Sequence, residues 1–174
     1  MKQLNNPQEQ GGFSLIELLI VVAIILIIAA IAIPNLLRAR MAANESSAVG
    51  AIRTINTSQI TYNSTYPTVG FAAALTNLGP SAANPCAGTS ATACLIDAVL
   101  AAGTKSGYTF LTSGAASAGS PTNNEYYAQA VPITVNQTGN RSFCSFEDAV
   151  VRFNTAGGAA GSEATCRGWS PLNQ

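Results

Sequence analysis

Few side chains in this sequence are equipped for chemistry. It contains no His, which removes the commonest general base and the commonest metal ligand. It contains four Cys, and in a small chain that number leans toward two disulfides formed in an oxidising compartment rather than a thiolate metal site. No Cys spacing resembles a zinc knuckle or ribbon. Glu147, Asp148 and Glu163 are the one acidic cluster. Their spacing matches no calcium-loop pattern, so a solvated strand end is the expectation and no metal is assigned. The remaining candidate is Glu17, a lone carboxylate inside a long apolar run. A charge within a membrane-spanning helix costs roughly 2.5–3.5 kcal/mol near the centre and less near the interface. Glu17 is therefore either a shallow group that reaches the headgroups or one that awaits a cationic partner. The nearest such cation is a new α-amino group, created if the chain is cut just ahead of Phe13.

The elements that carry these residues follow from composition. Hydrophobic residues make up 48% of 174 and charged residues 9%, against a usual charged share of about 25%. The formal net charge is zero, so nucleic-acid binding through bulk charge is not indicated. From Phe13 to Ile33 the sequence is apolar apart from Ser14 and Glu17. As a helix this stretch reaches about 31 Å, the thickness of a bilayer's hydrocarbon core. A cleaved secretory signal is one reading, with Ala30-Ile31-Ala32 as a small-x-small site. The run is longer than such signals and carries a carboxylate near its start. A plain membrane anchor is another. Neither explains Glu17.

Gly11-Gly12-Phe13-Ser14-Leu15-Ile16-Glu17, a long apolar run and then Pro34 together resemble the type IV pilin and pseudopilin family. Tyr66-Pro67-Thr68 and Arg141-Ser142-Phe143-Cys144 resemble it more weakly. The resemblance implies a leader over residues 1–12, removed by a membrane aspartyl prepilin peptidase that cuts between Gly12 and Phe13. It implies N-methylation of Phe13 by the same enzyme. The methyl donor, S-adenosylmethionine, belongs to the peptidase, and no cofactor is expected in this chain. It further implies that Glu17 attracts the α-amino group of Phe13 on a neighbouring subunit during assembly. The expected partners are other copies in a homo-oligomeric filament, the prepilin peptidase, the pilus or secretion assembly machinery, and the inner membrane before assembly. Arg38 and Arg40 follow the span while the leader is poorly basic, so a positive-inside count orients the chain against the motif. The need for the leader to face a cytoplasmic enzyme is taken as the stronger signal, which leaves the remainder in the periplasm.

Beyond Pro34 a helical pattern continues. Leu37, Met41, Ala48, Ile52, Ile55 and Gln59 recur at spacings near three, four and seven, with Arg38, Glu45 and Arg53 on other faces. Tyr66-Pro67 should end it. One helix from Phe13 to Ser64 would reach about 80 Å. Pro34 should kink or loosen it. Within that helix only Phe13 and Tyr62 are aromatic, too few for a continuous stack.

The predicted organisation is a 1–12 leader, a 13–66 stalk with its transmembrane or filament-core part at 13–33, and a 67–174 globular head. The fold class is α+β: a long N-terminal helix, hydrophobic in its first half, packed on a small antiparallel sheet. Short helices are expected over Phe71–Leu78 and Cys94–Ala102. Strands are expected over Tyr108–Thr112, Glu125–Val135 and Arg141–Phe153, with Pro132 marking an edge or bulge. Ala115–Pro121 is expected as loop and Thr155–Trp169 as mostly irregular. Phe110, Phe143, Val151 and Phe153 are candidate core residues. The four Cys allow three pairings. Spacing favours Cys86–Cys94, closing a small loop, and Cys144–Cys166, tethering the C-terminal part to a strand.

Three function classes remain. A structural filament subunit leads, as a type IV pilus subunit or, alternatively, a type II secretion pseudopilin. A membrane-anchored binding or adhesin module needs an aromatic patch, for which Tyr126, Tyr127 and Trp169 are the candidates. An enzyme, without His and with few carboxylates, has little to work with.

Overall fold

The computed structural model describes residues 14–80 and 85–172. Gly12 and Phe13 lie outside the described residues. The chain divides into two compact units, Met1–Arg38 and Ala39–Gln174.

Helix α1 runs from Leu15 to Thr65 with Pro34 inside it. Pro34 removes the N–H that would bond to the residue 30 carbonyl, yet the helix continues through it. Every Leu, Ile and Val from Leu15 to Leu37 is exposed. Among the described residues α1 is the one helix long and apolar enough to cross a membrane. It stops one residue before Tyr66-Pro67, as the restriction on a residue preceding proline requires.

In the second unit, α1 from Ala39 onward lies on an antiparallel sheet. The strands are β1 (Thr104–Lys105), β2 (Tyr108–Ala115), β3 (Glu125–Pro132), β4 (Ser142–Phe146), β5 (Arg152–Asn154) and β6 (Ser170–Pro171), in the order β1-β2-β3-β4-β5-β6. Each strand pairs with its successor in sequence, so all connections are local. Tyr108 pairs with Pro132, Ala130 with Phe143, and Phe143 with Phe153. Pro132 closes β3 at its last position, where a missing donor does least harm to the ladder.

The core lies between α1 and the sheet. Ala48, Ile52, Ile55 and Tyr62 from the helix meet Tyr108, Phe110, Ala128, Ala130 and Phe143 from the strands. Phe110, Phe143 and Val151 are buried; Phe153 is half-buried and packs against the same cluster. A second, smaller cluster of Cys144, Phe146, Ala160 and Cys166 occupies the other face of β4. All five β4 residues are therefore buried.

Several local expectations are corrected. The expected 141–153 strand is two strands, because Ala149 takes a left-handed turn conformation (φ 58°) and its N–H bonds back to the Phe146 carbonyl at 2.8 Å. The stretch 155–169 is not mostly irregular at its end: α4 spans Glu163–Arg167, with the Ser162 hydroxyl accepting from the Thr165 N–H. The two short helices shrink to α2 (Leu75–Leu78) and α3 (Ala98–Ala101). Asp97 sets the start of α3 by accepting from the Leu100 N–H at 2.9 Å.

Candidate functional site

Glu17 stands in the first turn of α1, where one carboxylate oxygen accepts the backbone N–H of Ser14 at 2.9 Å. A carboxylate three residues into a helix satisfies a donor that the helix leaves open and meets the positive end of its dipole. Its other oxygen has no partner among the described residues. The chemistry available to it is a charge-assisted bond to an amine. Apart from Ser14, the helix surface around it is apolar and exposed.

The stalk helix also carries a polar row, in which Gln59 falls where the sequence pattern puts it and Glu45 does not. Glu45 lies not on an outer face but on the buried one, 9% exposed, in register with Ala48, Ile52, Ile55, Gln59 and Tyr62. Its carboxylate accepts the backbone N–H groups of Asn140 (2.9 Å) and Arg141 (3.1 Å) and the Arg141 Nε–H (2.8 Å). Burial alone would push its pKa up. The Asn140 N–H, the Arg141 side chain, the Arg141 N–H and the Arg141 charge outweigh burial and hold it below the ordinary carboxylate value. Asn56 donates to the Ser145 hydroxyl at 2.9 Å and accepts from the Tyr126 phenol at 3.2 Å. Gln59, fully buried, donates to the Ala72 carbonyl (3.0 Å) and the Thr112 hydroxyl (2.9 Å) and accepts the Ala72 N–H (2.8 Å). These three residues fix the helix to the sheet at one rotation and one height. The signal available in the sequence was the 3-4-3-4 spacing of residues 45, 48, 52, 55, 59 and 62, which holds only if polar residues are allowed on the inward row.

The structure joins Cys86 to Cys94 and Cys144 to Cys166. The acidic cluster is occupied by arginines. Arg167 pairs with both Glu147 and Glu163, and Arg152 with Asp148 at 2.7 Å. Both guanidinium groups lie 4.1 Å from the Phe146 ring centroid. Among the described residues no group of three or more His, Cys, Asp or Glu is arranged to hold a metal ion.

Tyr126, Tyr127 and Trp169 do not form one patch. Tyr126 points to the helix side and is buried, and burial together with the Glu147 and Asp148 charges pushes its pKa up. Tyr127 points to the other face, where its phenol donates to the Gly161 carbonyl at 3.2 Å. Trp169 packs on the second cluster and borders a depression of about 250 Å³ with Phe153, Asn154 and Thr155. Tyr126 and Tyr127 border a different one of about 290 Å³.

Comparison with known proteins places this N-terminal geometry. The family model of the prokaryotic N-terminal methylation motif matches residues 8–33. A curated relative, the type IV wide pilus major component PilA4 of Thermus thermophilus, is 69% identical over 35 residues. That stretch covers 20% of this chain and 27% of the relative, so the chain matches about a quarter of the relative's length. No solved structure matches. Residues 8–33 of this chain thus carry the prokaryotic N-terminal methylation motif, and its N-terminal segment is similar to that of a type IV pilus component.

Proposed function

We propose that this chain is a structural subunit of a type IV pilus-like filament. It is held in the inner membrane by residues 13–33 before assembly, with the 67–174 head in the periplasm, and it is then packed into the filament through the same segment. The 1–12 leader is removed between Gly12 and Phe13 by a prepilin peptidase. Gly12 leaves the backbone open to that enzyme, and Phe13 is N-methylated by it. The observation that carries this reading is the single carboxylate, Glu17, at the head of an exposed apolar helix, with one oxygen unpartnered among the described residues. A helix hydrophobic all round suits both lipid and a filament core. Glu17 suits the second far better, because a neighbouring Phe13 amine is there its natural partner. The relative is a pilus major component, which favours a pilus over a secretion pseudopilus.

The test is Glu17→Val in a strain without wild-type subunits. The apolar helix is kept, so membrane insertion and processing should be unchanged. The neighbour's amine loses its partner at every subunit, and breaking a buried pair from one side costs about 3–5 kcal/mol. Fractionation with electron microscopy should show processed, membrane-held protein and no filaments. Normal filaments would reduce Glu17 to a helix cap and remove the basis of this proposal.

A further inference from the structure

The two disulfides sit in opposite environments. Cys144 and Cys166 are both 0% exposed, sealed within the second cluster. Cys86 and Cys94 are both exposed. Thiol–disulfide exchange needs an approaching thiolate to reach a sulfur, so access separates the two bonds.

The segment closed by Cys86–Cys94 is held in an uneven way. From Ala93 onward the backbone is pinned: the Ala93 N–H donates to the Asn77 carbonyl (2.8 Å) and the Leu95 N–H to the Leu78 carbonyl (2.6 Å). Before that point Thr89 and Thr92 bond to each other, and the strap is fastened to the stalk by two phenols. Tyr62 donates to the Ser90 carbonyl at 2.6 Å and Tyr66 to the Gly88 carbonyl at 2.8 Å. The two rings lie 4.9 Å apart. Cys94 itself is held at φ 63°, a left-handed conformation unfavourable for a residue with a Cβ.

We propose that Cys86–Cys94 is a thiol–disulfide exchange site for a dithiol reductant, such as a protein carrying two neighbouring thiols, and that it latches residues 85–92 over the Tyr62–Tyr66 pair. Cys86 is the sulfur attacked. Its neighbours Pro85, Ala87 and Gly88 are small or compact and exposed, whereas Cys94 is flanked by buried Ala93 and half-buried Leu95. The reductant thiolate forms a bond to Cys86 Sγ, the Sγ–Sγ bond breaks, and the electron pair leaves on Cys94, which takes a proton from solvent. The second thiol of the reductant then attacks its partner sulfur and releases Cys86. The dithiol is oxidised by two electrons to a disulfide, and Cys86 and Cys94 become thiols. Cys144–Cys166 stays closed, so the sheet and its core are retained while the strap is held only by its hydrogen bonds.

The experiment uses the full chain in detergent, titrated with dithiothreitol, quenched with N-ethylmaleimide and mapped by peptide mass. Cys86 and Cys94 should label at concentrations at least about tenfold below those that label Cys144 and Cys166. Equal or reversed sensitivity overturns the proposal. Reduced glutathione, a single thiol, should be trapped on Cys86, and capture on Cys94 overturns the direction of attack. Nitration of Tyr66 should rise severalfold in the Cys86→Ser/Cys94→Ser double variant and in selectively reduced wild type. The reduced wild type keeps this readout should the variant fail to fold. Unchanged Tyr66 reactivity there shows that the disulfide latches nothing.

Discussion

Replacing Glu45 tests whether the polar row, rather than the apolar residues alone, fixes the stalk to the head. Glu45→Ala removes three charge-assisted bonds and leaves the Arg141 guanidinium and two N–H groups without their acceptor. A hydrogen bond to a charged group contributes about 1.5–3 kcal/mol when fully buried. Here Asn140 is exposed and the Arg141 side chain is 39% exposed, so water recovers much of the loss. The expected total is about 2–3 kcal/mol after that discount. In a protein of this size it lowers the melting temperature by about 6–9 °C. Glu45→Gln keeps an acceptor for the two backbone donors but loses the charge and the acceptor for the Arg141 Nε–H, so about 1–2 kcal/mol is expected. The pH dependence separates the two contributions. The native pKa of Glu45 is lowered, so its ionised form stabilises the fold fully above the ordinary value near 4.5. That advantage is lost as pH falls through the native pKa. The gap between wild type and Glu45→Gln should therefore be full at pH 7 and close toward pH 3. The assay is thermal unfolding of the full chain in detergent, followed by circular dichroism at both pH values. A Glu45→Ala protein melting within 1 °C of wild type at pH 7, or a Gln gap unchanged at pH 3, would refute this assignment.

Further outcomes follow from the same contacts. Intact-mass measurement of envelope protein should find a chain beginning at N-methyl-Phe13, and Gly12→Val should accumulate the uncut precursor; a start after Ala32 would point to an ordinary signal peptide. Gln59→Ala should destabilise the head by about 2–4 kcal/mol, since it leaves the Ala72 N–H and carbonyl unsatisfied in a fully buried site. Chemical denaturation would measure this, and a loss below about 1 kcal/mol would mean that the backbone there finds another partner. Filament loss in Glu17→Val, argued above, stands apart from these because it leaves head stability untouched.

The sequence by itself determined the features set by short-range physics. The apolar run, the one carboxylate in it and the motif before it were legible because lipid-compatible length and charge placement are linear properties. The end of α1 was legible because proline constrains the residue before it. The main strands were legible from their apolar alternation and turn residues, and the fold class followed. Gln59 already fell on the inward row of the sequence pattern, whereas the inward placement of Glu45 came from tertiary structure. Glu45 reads as surface from hydrophobicity, yet it is buried, because Asn140 and Arg141, just ahead of β4, present two backbone N–H groups and a guanidinium there. Tertiary structure also decided that β4 is covered on both faces, since the covering residues, Ala160 and Cys166, come from a stretch with little pattern of its own. The division into β4 and β5 was hidden as well. Val151 looks like a continuing strand residue, and only the left-handed turn at Ala149, with Asp148 accepting the Val150 N–H at 3.0 Å, breaks the run. Partners distant in sequence supply the contacts that bury Glu45 and cover β4, and no local periodicity encodes them; the bonds at Ala149 are local but leave no trace in the apolar alternation.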